Sequence, residues 1–117
     1  MTKNVILDKS YVFALETIKV YKYLVREKKE FVLSKQLLRS GTSIGANINE
    51  AQAGFSKKDF VAKMSISSKE ARETKYWINL LSDSHYINSE KRDFLLGGIN
   101  EIIAILTSIV KTGQGKD

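Results

Sequence analysis

From Phe60 to Leu81 the chain sets Phe60, Met64, Ser67, Ala71, Thr74, Ile78 and Leu81 at alternating steps of four and three. Residues three and four apart stack on one face of an α-helix, so this spacing draws a continuous stripe down a helix and nothing coherent down a strand. The same alternation recurs upstream at Leu37, Gly41, Ile44, Ile48 and Ala51. No proline interrupts either stretch, and none occurs among the 117 residues. Proline removes a backbone donor and clashes with the preceding turn, so its absence fits a chain made mostly of long helices.

Four helical segments follow from this pattern. The first, about 8–29, gathers Phe13, Thr17, Val20, Tyr21 and Leu24 on one side and Glu16, Lys19, Lys22, Tyr23 and Arg26 on the other. The run REKKE at 26–30 reads as a solvated turn, with Phe31 and Val32 folding back toward the core. The second segment, about 34–53, opens at the N-cap type Ser34 and closes at Gly54, which suits the left-handed conformation that stops a helix. The third, about 56–82, begins with a capping-box-like pattern in Ser56 and Asp59. After the polar turn SDSHYINS, the fourth runs about 89–112 and stops at Gly113.

Helices of this length joined by short turns predict an all-α, up-down-up-down antiparallel four-helix bundle, one domain spanning residues 1–117. The fourth helix is wider in its apolar face than such a bundle needs. Phe94, Leu95, Leu96, Ile99, Ile102, Ile103, Ile105, Leu106, Ile109 and Val110 cover about 200° of its wheel, against the roughly 100° that faces a core. Val12 and Leu15 stray onto the polar side of the first helix. A second burying surface is therefore expected, and a ring-like homo-oligomer supplies one.

Gly41, Gly45 and Gly54 give the stretch LRSGTSIGANINEAQAG the look of a phosphate loop. A P-loop requires GxxxxGK[ST] and a dinucleotide fingerprint requires GxGxxG after a strand, and neither is present. Apolar residues keep helical step straight through the glycines. Gly41 and Gly45, one turn apart, instead form a flat groove for close helix packing, with the small residues Ser67 and Ala71 of the third helix as the expected partner.

Catalytic and metal chemistry find little footing. There is no cysteine, which excludes disulfides and thiolate sites, and the single histidine, His85, lies in a turn. Di-iron or zinc centres need His in pairs with acids at helical spacing. Glu70 and Glu73, flanked by Lys69, Arg72 and Lys75, read as a solvated, salt-bridged face. Glu50 with Asn47 and Asn49 reads as a polar helix end. No enzyme activity, metal or cofactor is expected.

Charge is the more informative signal. Lys plus Arg outnumber Asp plus Glu by 19 to 13, a formal net charge of +6. Residues 1–58 hold 11 basic and 5 acidic side chains, whereas residues 59–117 hold 8 of each. The excess therefore falls on the first two helices, where Lys19, Lys22 and Arg26 cluster beside Tyr23 and where Lys35 and Arg39 stand one turn apart. Such a surface attracts the phosphates of RNA or DNA, with tyrosine available for stacking. The N-terminal MTKNVILDKS carries only the short run VIL, and no unbroken apolar run reaches the roughly 18 residues of a membrane helix, so a cytoplasmic protein is expected.

The run LSKQLLRSGTSIGANINEAQAG, followed by SKKDFVAKMSISSKEARETKYWINLL, resembles the bacterial four-helix proteins called 23S ribosomal RNA intervening-sequence proteins. The segments Ser40 to Asn47 and Glu70 to Trp77 are the most specific, and the similarity extends through Lys22, Tyr23 and Leu24 and into the isoleucine-rich fourth helix. The resemblance implies a four-helix bundle assembled as a ring, commonly a pentamer. A more distant similarity is to the basic accessory proteins of diversity-generating retroelements, which act with a reverse transcriptase and nucleic acid. No catalytic residues or cofactor are carried over. The expectation is a non-enzymatic oligomer that binds RNA or DNA through Lys19, Lys22, Tyr23, Arg26, Lys35 and Arg39; the alternative is a scaffold that docks a partner protein.

Overall fold

The computed structural model describes residues 4–115, which form four α-helices and, among these residues, no strand. Helix α1 spans Val5–Arg26, α2 Leu33–Gln52, α3 Lys57–Asp83 and α4 Ser89–Gln114. At 1.5 Å per residue they are about 30 to 40 Å long, which accounts for most of the 47 Å length of the molecule. Each helix packs on its sequence neighbours, α4 also meets α1, and α1 and α3 lie on a diagonal without contact. The residues that meet run in opposite order along neighbouring helices: Ser10 faces Gly45 and Thr17 faces Gly41, while Ser67 bonds Ile44 and Thr74 meets Ser40.

The core is the sum of the four stripes. Leu24, Leu37, Ile44, Ile48, Met64, Ala71, Ile78, Leu81, Ile99, Ile102 and Leu106 are essentially inaccessible to solvent. Between them sit buried hydroxyls, each of which finds a partner. Thr17 Oγ1 donates to the Phe13 carbonyl at 2.9 Å, and Ser67 Oγ donates across the helix interface to the Ile44 carbonyl at 2.8 Å. Thr74 Oγ1 lies 2.8 Å from Ser40 Oγ. Because a buried hydroxyl without a partner is costly, the last two contacts fix α3 against α2 in one register.

The glycines of α2 face α1, not α3. A Cβ built on Gly41 would lie 2.7 Å from Thr17 Cγ2, and one on Gly45 would lie 3.3 Å from Ser10 Oγ. Ser67 and Ala71 are buried on α3 and pack toward a different side of α2, that of Ser40 and Ile44. Each of these turns of α2 thus serves both neighbours, through Gly41 and Gly45 toward α1 and through Ser40 and Ile44 toward α3.

Helix ends depart most from the sequence reading. Ser34 does not cap α2 but lies inside its first turn, fully buried. The capping is done by Glu30, whose carboxylate accepts from the backbone N–H groups of Val32, Leu33 and Ser34 at 3.2, 2.9 and 2.7 Å, while Ser34 Oγ donates to the Glu30 carbonyl at 2.8 Å. Glu30 is only 9% exposed, so the REKKE segment is solvated at Arg26, Glu27, Lys28 and Lys29 but not at its last residue. Phe31 and Val32 stay exposed, because the turn that brings Glu30 inward swings them out. Gly54 ends α2 without a left-handed backbone; a Cβ there would crowd the Ala51 carbonyl, the Asp59 Cβ and the Phe60 backbone nitrogen at 3.2–3.3 Å. Helix α4 begins one residue after Asn88, whose side chain accepts from Lys91 N–H, and it runs through Gly113, where a Cβ would meet Val61.

His85 takes a left-handed conformation, φ 69°, at the end of α3. Its N–H bonds the Ser82 carbonyl and that of Tyr86 bonds Leu81, the paired closure in which glycine is usual at this position. The lone histidine is thus part of a helix stop.

Two of these features make measurable predictions. Substituting Gly41→Ala is expected to destabilise the fold by about 1–3 kcal/mol through overpacking on Thr17, despite alanine's better helix propensity, and Thr17→Ser in the same chain should recover part of the loss in urea denaturation. For Glu30, burial works to raise the carboxyl pKa, but the backbone hydrogen bonds from Leu33, Ser34 and Val32 outweigh it and leave the pKa below its ordinary value. A pKa depressed by folding contributes stability that is complete above the unfolded value, about 4.3, and that is lost as pH falls through the folded value. Glu30→Ala should therefore cost about 1–2 kcal/mol at pH 7, and the gap from the parent protein should narrow on acidification below pH 4 or so.

Candidate nucleic-acid interface

The last two turns of α1 carry Lys19, Lys22, Tyr23 and Arg26, all exposed. They lie opposite the buried stripe of Phe13, Thr17, Val20 and Leu24, which is why amphipathic periodicity turns them outward together. Over residues 19–26 the helix advances about 10 Å, so these charges line one short track. Exposed Lys28 and Lys29 extend it through the connection, and exposed Lys35 follows in the first turn of α2. The α1–α2 end of the molecule therefore holds six cations and a tyrosine, with Glu27 as the exposed acid in that segment.

Pairing within this set is slight. Lys19 Nζ lies 3.5 Å from Glu16, a contact between an exposed ammonium and its neighbour one turn back, worth little in water. Arg39 behaves differently. Its guanidinium reaches Glu70 at 3.3 Å and also pairs with Glu73, while Gln36 accepts from Nε and Nη2. Trp77 Nε1 donates to the same Glu73 carboxylate at 2.9 Å. Glu70 and Glu73 are thus not a freely solvated face, and Arg39 ties α2 to α3 instead of joining the lysines of α1.

The tertiary fold adds one residue that sequence spacing does not supply. Lys91, in the first turn of α4, joins Lys19 and Tyr23 around a shallow cleft of about 340 Å³ floored by Val20 and Ile87. Its ammonium stands 5.2 Å from the centre of the Phe94 ring. Lys91 is 72 positions from Lys19, so only the packing of α4 on α1 could reveal the pairing. Lys28 and Lys29 were visible in the charged run, but only their exposure and the inward turn of Glu30 separate them from it.

No three His, Cys, Asp or Glu side chains gather as a metal site among the described residues. Helix α4 contains an 18-residue window apolar enough, by length and composition, to cross a membrane, which a count of unbroken apolar residues misses. Here Leu95, Ile99, Ile102 and Leu106 turn into the core while only 22% of that window is buried.

Comparison with known proteins places the fold. The chain is similar to a crystal structure described as a protein of unknown function from the S23 ribosomal protein family of Bacteroides thetaiotaomicron VPI-5482, with 50% sequence identity and a TM-score of 0.90 over 92% of this chain and 99% of that one. No curated protein matches. The family model for the 23S rRNA-intervening sequence protein matches residues 2–108. With the four helices and nearly the whole chain accounted for, the protein belongs to the 23S rRNA-intervening sequence protein family.

Proposed function

We propose that the protein is a non-enzymatic, cytoplasmic homo-oligomer of up-down-up-down bundles, pentameric by family resemblance, that binds RNA or DNA through the basic track of α1 and the α1–α2 connection. The observation that carries this reading is the exposed, largely unpaired series Lys19, Lys22, Arg26, Lys28, Lys29 and Lys35 beside Tyr23. Cations spaced along one helix face neutralise successive phosphates and release counterions, which gives affinity without reading base sequence. Tyr23, 43% exposed, offers a ring for stacking on an unpaired base. Repetition of the track around a ring raises avidity over a single weak contact. Self-assembly is supported by the apolar residues that the single chain leaves in water: Val12, Leu15 and Phe94 are each roughly half exposed.

Arg39 belongs to this proposal in a lesser role, since its charge is already opposed by two carboxylates. The expected result is salt-sensitive binding of a labelled RNA or DNA, with Lys22→Glu combined with Arg26→Glu lowering the slope of log K against log salt by about 1.5 and leaving helicity intact. Arg39→Gln should change affinity far less. Absence of binding at low salt, or binding indifferent to salt, would count against the reading. Recovery of one protein partner after nuclease treatment, together with absent binding, would favour the scaffold alternative.

A further inference from the structure

Helices α1 and α4 are the least intimately packed neighbours in the fold. Between them lies an open groove of about 320 Å³, lined by Val12 and Phe13 on one wall and Phe94, Gly98 and Ile102 on the other. Gly98 sets its floor: a Cβ there would come within 3.3 Å of the Phe13 ring. Val12 and Phe94 are each 57% exposed, so the groove is apolar and wet. Its lining carries three carboxylates, Asp8, Glu16 and Glu101, against one ammonium, Lys9, which pairs with Glu101 at 2.9 Å, while Lys91 stands at one end over Phe94 and exposed Lys19 lies 3.5 Å from Glu16. A chain of net charge +6 thus gathers carboxylates around an apolar opening.

That rim constrains the occupant. Two such grooves placed face to face would oppose like charges, which disfavours a two-fold pairing of the groove with itself. The complementary surface must be apolar at its centre and basic around it. Helix α3 exposes one: Ile66 and Tyr76, 41% and 57% exposed, share an outward face with Lys69, and Arg72 and Lys75 flank it. The acids of that face, Glu70 and Glu73, are held by Arg39. Tyr76 stacks edge-on against Trp77, with ring centroids 5.0 Å apart, which props it outward. Because α3 is diagonal to α1, groove and stripe are separate surfaces of one molecule. Ser67 bonds Ile44, next to the Gly45 that faces Ser10, and Thr74 meets Ser40, next to the Gly41 that faces Thr17, so the α3 stripe and the groove stand at similar heights and rotation about an axis along the bundle can bring them together.

We infer that the α1/α4 groove receives the outer face of α3 from a second copy of this chain, with Tyr76 and Ile66 seated against Val12 and Phe94 and Lys69 facing the rim carboxylates. The inference rests on the homo-oligomer reading above and specifies its contact as head-to-tail. Each copy then presents one free groove and one free α3 face, so the contact propagates until a ring closes.

The absence of cysteine makes a direct test possible. Val12→Cys and Ile66→Cys place one thiol on each surface, at positions exposed enough to spare the core. With a short bismaleimide, the double variant should yield a ladder of covalent multimers, and the two single variants co-expressed should yield a cross-linked dimer, whereas either single variant alone should yield none. Light scattering of the same proteins before cross-linking reports assembly independently. A monomer would overturn both the oligomer and this contact; an oligomer that cross-links through Val12→Cys alone, or not at all, would overturn the head-to-tail contact and leave self-assembly standing. As a second measurement, Tyr76→Ala should weaken assembly about tenfold or more with helicity unchanged, and assembly unaffected by that change would equally overturn the inference.

Discussion

Where α2 crosses α1, the space that a side chain would need at Gly41 is already filled by Thr17, whose Cγ2 would stand 2.7 Å from an added Cβ. One turn along, Gly45 leaves room for Ser10 in the same way. The two helices therefore meet nearly backbone to side-chain root, closer than a Leu or Ile pair would permit. On its other side α2 is pinned to α3 by Ser67 bonding the Ile44 carbonyl and by Thr74 meeting Ser40. Helix α2 is thus gripped from both sides by small and hydroxylated residues, and the large aliphatic side chains fill the middle.

Helix α4 completes the core on looser terms toward α1 than toward α3. It packs well on α3, but against α1 it has only Gly98 as a close approach, since Gly97 faces open space. Leu95, Ile99, Ile102 and Leu106 satisfy the core, and Phe94 is left outside with Ile103, Ile105, Ile109 and Val110 only partly covered. The open seam between α1 and α4 thus lies beside a fully formed helix, continuous over Ser89–Gln114. The proposed self-association begins from this asymmetry.

Periodicity made the helices legible because a four-three alternation has one structural meaning, and it turned Lys19, Lys22 and Arg26 outward by the same logic. It was silent where a partner comes from elsewhere in the chain. Arg39 looked like a free cation next to Lys35, but its carboxylates lie 31 and 34 positions away on α3. The glycine face of α2 was visible, yet spacing alone cannot say which of two small-residue neighbours, Thr17 with Ser10 or Ser67 with Ala71, fills it. End signals failed for a related reason. Ser34 has the right chemistry for a cap, but Glu30 reaches three backbone donors at once, and a burial this deep is not foreseeable for a glutamate within a run of lysines.

Inward rotation of Glu30 also shapes the charge of the surface. Its carboxylate is consumed by the first-turn donors of α2, so it cannot screen Lys28 and Lys29 as an exposed glutamate in the same run would. Of the other acids, Glu27 stays exposed beside these lysines, while Asp8, Glu16 and Glu101 gather around the α1/α4 groove. Folding thereby separates a modest net charge into a cationic end and an anionic seam, which a residue count cannot show. In the proposed assembly the two regions answer to salt unequally. The cationic track relies on counterion release over exposed phosphates and should fade steeply with ionic strength, whereas a seam closed over Val12, Phe94 and Tyr76 draws on apolar burial, which salt does not screen.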